Sequence, residues 1–358
     1  MIIISKLDQK PSILFVGNHP SSSKNYISAS ELIAYHLRNR SWNINLTSKK
    51  KSKFFSFIDK IFTIFFKRKS YQIAVVDVFS KRAFVWGYIC TWILKKINKT
   101  TILVLRGGDL PNFYQKFPGK FKNLFSWPKV IVAPSEYLKD NLPTINNEIV
   151  VIPNGIQILD YPYYGKEKVK PKLIWLRAFH SIYNPLLVPG VIDLLIDDDI
   201  KVYCSMVGPD RGDGSLKAVR NEIEKLNLEE FIEIIPGVSK SEVPNLLSTG
   251  DIFLNTTNID NTPTSVIEAL ACGLCVVSTN VGGIPYLLDD GVNALLVPPN
   301  NSVMMVKSIK RILTEPELFQ KLSKNARRDA ERYDWSKIIP MWENLFITTY
   351  HSTFSNFS

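Results

Sequence analysis

The sequence predicts an α/β protein built from two doubly wound parallel sheets. Three observations predict it. Short apolar runs alternate with helical stretches along the chain, the pattern of strand–helix–strand crossovers. Most of these runs end in Gly, Pro, Asn, Asp or Arg, the loop chemistry of a ligand-facing sheet edge. The 358 residues are enough for two separate cores.

In the first half the strand-like runs are ILFV (13–16) before Gly17, IAVV (73–76) before Asp77, and TILVL (101–105) before Arg106-Gly107-Gly108. VIVA (130–133) and IVVI (149–152) follow, ending at Pro134-Ser135 and Pro153-Asn154. Residues 28–38 read as an amphipathic helix and 83–96 as an apolar one. Together they predict a Rossmann-like domain over 1–160. Residues 161–172 carry three tyrosines, two prolines and several lysines, and read as a linker. The pattern then repeats: LIWL (173–176) before Arg177, KVYCSMV (201–207) before Gly208-Pro209, and IEII (232–235) before Pro236-Gly237. DIFLN (251–255), CVVS (275–278) and helical stretches at 303–313 and 317–332 complete a second Rossmann-like domain over 165–334.

The most informative segment is 251–283, DIFLNTTNIDNTPTSVIEALACGLCVVSTNVGG. Thr262-Pro263 reads as a helix start, with Thr as N-cap and Pro in the first turn. Gly273 stops the helix. Parallel-sheet geometry brings the 258–264 and 280–283 loops to one edge. Asp260 and Glu268 carry carboxylates there, and the helix N-terminus around Thr264 and Ser265 offers free amides to a phosphate. Carboxylates for hydroxyls beside amides for phosphate suit a nucleotide-sugar.

These residues resemble the donor-site signature of family 4 glycosyltransferases, retaining enzymes of the GT-B fold. That signature sets two acids eight positions apart, the second opening a Glu-Ala-(Leu/Met)-Ala-x-Gly run. Glu268-Ala269-Leu270-Ala271-Cys272-Gly273 matches it, while Asp260 stands where Glu is usual. Further matches are Ala133-Pro134-Ser135-Glu136-Tyr137-Leu138, Val151-Ile152-Pro153-Asn154-Gly155, Val207-Gly208-Pro209, Val281-Gly282-Gly283-Ile284-Pro285, Asp290-Gly291-Val292-Asn293 and Arg332-Tyr333-Asp334-Trp335. The resemblance implies two domains facing a cleft, with residues 335–358 crossing back to the first. It implies a donor site of Arg177, His180, Gly208, Thr264, Ser265, Glu268, Gly282 and Gly283. Gly107, Gly108, Asp109, Ser135 and Asn154 would line the acceptor side, and Arg106 and Asp260 would act in catalysis. The family usually places a Lys five or six positions after Arg177; Ile182 and Tyr183 stand there instead. Many relatives carry His at the position of Arg106, and an arginine cannot serve as a base near neutral pH.

The bland readings stand beside these. Glu268 could serve the helix dipole, and Arg106-Gly107-Gly108-Asp109 could be a plain tight turn. Asp197-Asp198-Asp199 lies away from the ligand edge and reads as a solvated turn; no metal site and no cofactor is expected, the nucleotide-sugar being a substrate. Cys272 and Cys275 read as small buried hydrophobes rather than a redox pair.

Charge divides unevenly: residues 1–150 carry a net +16 and residues 151–358 a net −5. Residues 49–69, KKKSKFFSFIDKIFTIFFKRK, load a short helix with phenylalanines between basic clusters. Such a segment suits the surface of an anionic membrane; a core-facing helix is the alternative. No recognition motif supports nucleic acid as a partner. The opening MIIISKLDQK is too short and too early-charged for a secretory signal, and no apolar run approaches the roughly 18–20 residues of a spanning helix. A cytoplasmic enzyme, peripheral on the inner face of the cell membrane, is the expectation. It would move a sugar from a nucleotide-sugar to a hydroxyl of a saccharide acceptor, lipid-linked, in bacterial surface polysaccharide synthesis. A non-catalytic sugar-binding protein and a nucleotide-sugar epimerase are the alternatives.

Overall fold

A computed structural model describes residues 10–17, 28–47, 53–145, 148–165 and 168–354. The chain divides into two units. The first is 1–154 with 335–358, and the second is 155–334.

The first unit runs β1 (Ile13–Val16), α1 (Ala29–Asn39), β2 (Ile44–Leu46), α2 (Lys53–Phe66), β3 (Ile73–Val78), α3 (Arg82–Lys96), β4 (Thr100–Leu105), α4 (Leu110–Lys116), α5 (Pro118–Phe125), β5 (Val130–Ala133), α6 (Glu136–Asp140) and β6 (Ile149–Val151). Its six strands lie in the order β2-β1-β3-β4-β5-β6, and each pairs in parallel with its neighbour. Central strands such as β4, TTILVL, are apolar on both faces because both faces are covered. Helices α2, α3 and α5 cover one face through Ile64, Phe84, Leu94, Phe121 and Phe125. The other face is covered by α1 and by the last helix of the chain, Trp335–Phe354, through Ile33, Leu37, Trp342 and Phe346. Trp42 Nε1 and Arg40 both donate to Glu343 at 2.8 Å, fixing that last helix to its own sheet. Helix α1 starts where Ser28 and Glu31 form a capping box, each serving the other's backbone.

The second unit runs β7 (Lys172–Leu176), α7 (Leu187–Asp197), β8 (Tyr203–Val207), α8 (Ser215–Lys225), β9 (Ile232–Ile235), α9 (Val243–Ser248), β10 (Ile252–Asn255), α10 (Thr264–Ala271), β11 (Cys275–Thr279), α11 (Ile284–Leu287), β12 (Ala294–Val297), α12 (Ser302–Thr314) and α13 (Pro316–Ala330). The Trp335–Phe354 helix is then α14. The strands order as β12-β11-β10-β7-β8-β9, again all parallel. Helices α7, α8 and α12 pack on one face, and α9, α10 and α11 on the other.

The 161–172 stretch is less detached than a linker. Tyr161 is buried in the second unit's core, and Arg327 donates to its carbonyl at 2.8 Å. Of residues 49–69, the first four lie outside the described residues.

Candidate functional site

Each sheet has one point where the strand order reverses, and side chains carried beyond the strand ends there meet across a crevice. In the second unit that point lies between β7 and β10. Arg177 follows β7 and Asp260 lies in the loop after β10; the two form an ion pair, with side chains 13% and 15% exposed. The Arg177 guanidinium also stacks on the Tyr183 ring, 4.3 Å from its centroid. Burial draws the arginine below its ordinary pKa, with Tyr183 opposing that shift.

A pocket of about 280 Å³ opens beside the arginine. Arg177 and Tyr183 line it from the loop after β7. Gly208, Pro209 and Arg211 come from the loop after β8, Val238 and Lys240 from the loop after β9, and Thr264, Ser265 and Glu268 from α10. Several polar groups here are left without partners. Arg177 Nε and Ser265 Oγ are buried with no hydrogen-bond partner among the described residues. Pro263 caps α10 without a side-chain bond, and the Val266 and Ile267 amides both turn back to its carbonyl at 3.1 and 3.2 Å. The helix therefore starts one residue later than the Thr262-Pro263 pattern implies. No described group accepts from the amides of Thr264 and Ser265, which leaves them as anion donors.

Glu268 is 2% exposed and lies at the pocket wall. The Tyr161 hydroxyl donates to its Oε1 at 2.9 Å, and the Lys240 ammonium engages the same oxygen. Among the described residues Oε2 accepts nothing. Burial pushes Lys240 down to about 8 and pushes the Tyr161 phenol up, so the phenol stays a neutral donor. With Asp260 committed to Arg177, three cations (Arg177, Arg211 and Lys240) face one lining carboxylate, and the pocket favours an anion.

The glycines serve the backbone first. A Cβ at Gly208 would strike the Arg177 carbonyl, and a Cβ at Gly282 or Gly283 would strike the carbonyls of Asp260 and Asn261. The Gly283 amide donates to the Asp260 carbonyl at 3.0 Å, so it is occupied by protein rather than offered to a phosphate. His180 stands apart from the pocket lining. Its Nδ1 accepts from the Ile182 amide at 3.1 Å and lies 3.8 Å from Asp213. Asp213 is held well below the usual carboxylate range by hydrogen bonds from Ser181 and Ser215.

The first unit's reversal lies between β1 and β3, and a second polar cluster sits beside it. Arg106 donates from Nε to Asp77 Oδ1 at 3.1 Å, from Nη1 to Asn154 Oδ1 at 2.9 Å and from Nη2 to Ser30 Oγ at 3.4 Å. Ser30 in turn donates to Asp77 Oδ2 at 2.5 Å. Arg106 and Asn154 are thus brought together, whereas Ser135 is used as the N-cap of α6, accepting from Leu138. Asp109 pairs with Lys81 at 3.6 Å and accepts from Asn112. Gly107 sits at φ +90°, and a Cβ there would meet nothing within 4 Å. Gly108 joins it to Asp109, partly exposed.

Sequence reasoning missed Tyr161, Tyr183, Arg211, Lys240, Ser30 and Asp77. Asp77 was within reach, since it directly follows the apolar run 73–76, although β3 itself continues through it to Val78. Lys240 and Tyr161 were not, because only folding brings them to Glu268, 28 and 107 positions away. Asp197 ends α7 and Asp198-Asp199 form the turn after it, in which Asp198 pairs with Lys310 at 3.1 Å and Asp199 takes φ +58°. Among the described residues no three potential ligands cluster. A separate hollow of about 360 Å³ lies against α8 and β9, lined by Arg220, Glu224 and Glu229 with three isoleucines. No loop from the strand ends named above reaches it.

Residues 165–329 match the family model described as glycosyl transferases group 1. That segment is similar to the group 1 glycosyltransferases. Its span contains every residue of the second-unit pocket. An uncharacterized glycosyltransferase of Methanocaldococcus jannaschii is 25% identical over 271 residues, 73% of this chain and 72% of that protein. A D-inositol 3-phosphate glycosyltransferase of Streptomyces bingchenggensis is 26% identical over 45% of this chain, which spans only 38% of that relative. The alpha-monoglucosyldiacylglycerol synthase of Acholeplasma laidlawii is 24% identical over 66% of this chain and 63% of its own. Among solved structures, sucrose-phosphate synthase from Thermosynechococcus elongatus superposes with a TM-score of 0.80 at 14% identity, over 96% of this chain and 100% of that one. The Anabaena protein HepE, solved with UDP and glucose, gives 0.75 at 15% identity, over 94% and 100%. At these identities the likeness establishes the fold, GT-B, and the two Rossmann-like units that define it.

Proposed function

We propose that the protein is a retaining glycosyltransferase that takes a sugar from a nucleotide-sugar held in the second unit. One observation carries this reading: the pocket beside α10 gathers unpartnered groups of two complementary kinds. Arg177 Nε, Ser265 Oγ and the first α10 amides suit a diphosphate, and Glu268 Oε2 suits a ribose hydroxyl. HepE was solved with UDP-glucose, which supports the same ligand class here. Cleavage of the sugar–phosphate bond builds negative charge on the leaving diphosphate. Arg177 and the helix N-terminus would stabilise that charge in the transition state. Asp260 would orient both the arginine and the transferred sugar. With Glu268, Thr264 and Ser265 given to the nucleotide and Asp260 paired with Arg177, the described lining residues offer no further carboxylate, and attack by the acceptor from the leaving-group face fits retention, without a metal or a cofactor.

The acceptor would be a hydroxyl of a saccharide, lipid-linked, met by the first unit near Gly107, Gly108 and Asn154, in the building of a bacterial surface polysaccharide. Arg106 would position these loops, since its donors are taken up by Asp77, Asn154 and Ser30. The Acholeplasma relative is named for a glucosyl diacylglycerol product, which supports an acceptor at a lipid surface. So does the charge of the first unit, whose helices α2 to α5 and intervening strands, residues 53–129, hold 15 basic and 3 acidic residues. The protein would lie on the cytoplasmic face of an anionic membrane through 49–69.

The test is a thermal-shift panel of UDP, GDP, ADP, CDP and dTDP, followed by sugar transfer from the matching nucleotide-sugar with and without excess chelator. A specific rise in melting temperature for one diphosphate, and transfer that survives the chelator, are expected. No response to any diphosphate contradicts the pocket reading. Release of an altered nucleotide-sugar without any acceptor would identify an epimerase instead.

A further inference from the structure

The Arg177 guanidinium is held from two directions and left incomplete in a third. The group is flat, and all of its N–H donors lie in its plane. Asp260 takes part of one edge as an ion pair. Tyr183 covers a face, its ring centroid 4.3 Å from Cζ, and a ring on the face consumes no donor. Nε is buried and has no hydrogen-bond partner among the described residues. A buried donor without a partner destabilises a fold. The stack on Tyr183 therefore does not complete a structural network; it holds an incomplete one in a fixed plane.

Tyr183 is itself fixed by the loop that carries Asp260. It ends the single helical turn Ser181–Tyr183. Thr256, fully buried just beyond β10, donates to the Tyr183 carbonyl at 2.8 Å and accepts from the Trp175 indole at 2.9 Å. Asn258 donates from its amide to the Ile182 carbonyl at 2.8 Å and from its side chain to the Ser181 carbonyl at 3.2 Å. The same loop then reaches Asp260. The ring on the arginine's face and the carboxylate on its edge are thus set by one docked pair of loops, and Arg177 and Tyr183 both line the pocket.

We propose that Tyr183 is a positioning residue for the distal phosphate of the donor: its ring sets the plane of the Arg177 guanidinium, so that the donors Asp260 leaves over meet that phosphate in one orientation. The proposal rests on the donor-site reading above and deepens it, because it assigns part of the strength of the phosphate contact to a neutral ring rather than to a further charge. A planar fork gains from being aimed; an ammonium, with its donors around a point charge, gains little.

Calorimetry on the full chain compares the diphosphate that binds best in the panel with the matching nucleoside monophosphate. The ratio of the two affinities isolates the distal phosphate, and a loss of folded protein does not move it. Tyr183→Phe keeps the ring and is expected to keep the ratio within about twofold. Tyr183→Leu and Tyr183→Met keep apolar contact with the core but lose the ring face, and are expected to lower the ratio about tenfold. Arg177→Lys is expected to lower it as well, and adding Tyr183→Leu to that variant to change it by less than about twofold, since no plane is left to orient. A Tyr183→Phe protein that loses as much as Tyr183→Leu would move the effect from the ring to the hydroxyl and overturn the proposal. An unchanged ratio in both aliphatic variants, losses that multiply in the double variant, or equal binding of monophosphate and diphosphate by the wild type would each overturn it too, while nucleotide binding leaves the donor site standing. Absence of binding by every diphosphate overturns the donor-site reading, and this proposal with it.

Discussion

Arg106 and Asp77 are each about 10% exposed and hold one another at 3.1 Å, with Ser30 and Asn154 completing the ring of partners. Removing one member of such a pair leaves an uncompensated buried charge, which costs about 3–5 kcal/mol. Arg106→Ala is therefore expected to lower the unfolding midpoint in urea far more than a surface substitution would, and Arg106→Ala combined with Asp77→Asn to recover part of the loss. An Arg106→Ala protein as stable as the wild type would show that the cluster is dispensable to the fold. Lys240 carries a pH signature of a different kind. Its proton is held only up to about 8, because burial disfavours the charged form. Below that value the ammonium balances Glu268 and adds positive charge beside Arg177 and Arg211; above it the charge is gone. Nucleoside diphosphate affinity is expected to fall between pH 7 and 9 in the wild type and to stay flat in Lys240→Met. Equal slopes for the two proteins would place the titrating group elsewhere. At this scale the sequence was legible for residues that sit on their own motif. Glu268, Arg177, Thr264 and Ser265 all line one pocket, each carried to the edge by a strand end or a helix start. It was illegible for Lys240, which lies in an ordinary polar loop and acquires meaning only from the carboxylate folded against it.

Helix α2 shows what a periodic pattern can and cannot say. Its apolar stripe is divided: Ile64 is fully buried and Phe57 packs on Trp86 at 4.4 Å, while Phe55, Phe62 and Phe66 are 58%, 56% and 80% exposed. The stripe thus serves the core on one side and leaves aromatic surface on the other, next to exposed Lys67, Arg68 and Lys69. The core-facing reading describes one side of this helix; the membrane-facing reading is a proposal for the other, exposed side. Phe62→Ser with Phe66→Ser is expected to keep the fold and weaken co-sedimentation with phosphatidylserine vesicles at all salt concentrations. Changing Lys67, Arg68 and Lys69 to Gln is expected to weaken it mainly at low salt, at about 1 kcal/mol per well-placed charge. Ile64→Ala is expected to cost about 2–5 kcal/mol of stability. Vesicle binding unchanged in both surface variants would argue against the lipid reading. The elements that escaped the sequence are short or at a sheet edge. Strand β2 is only INL and β12 only ALLV, each paired on one side only. Runs of three or four residues carry too little periodicity to separate a strand from a loop.

The molecule as a whole keeps its charge and its chemistry in different places. The first unit's α2–α5 layer is strongly basic, whereas α14 on the opposite face of the same sheet holds one lysine and one glutamate. The second unit, acidic in balance, nevertheless concentrates three cations around one pocket. The fold class was legible because parallel sheets repeat one simple pattern, apolar strand and covering helix, and the repeat occurs twice. The identity of the sugar and of its acceptor is written in no such pattern; it lies in a few pocket side chains. The central claim is that the pocket beside α10 holds a nucleoside diphosphate through Glu268. Titration calorimetry of wild type against Glu268→Ala, with the diphosphate selected by the panel, tests it most directly. A loss of about 1.5–3 kcal/mol, roughly 10- to 100-fold in affinity, is predicted for a variant that melts as a folded protein. Equal affinity in a folded Glu268→Ala protein would contradict the assignment of this pocket as the donor site.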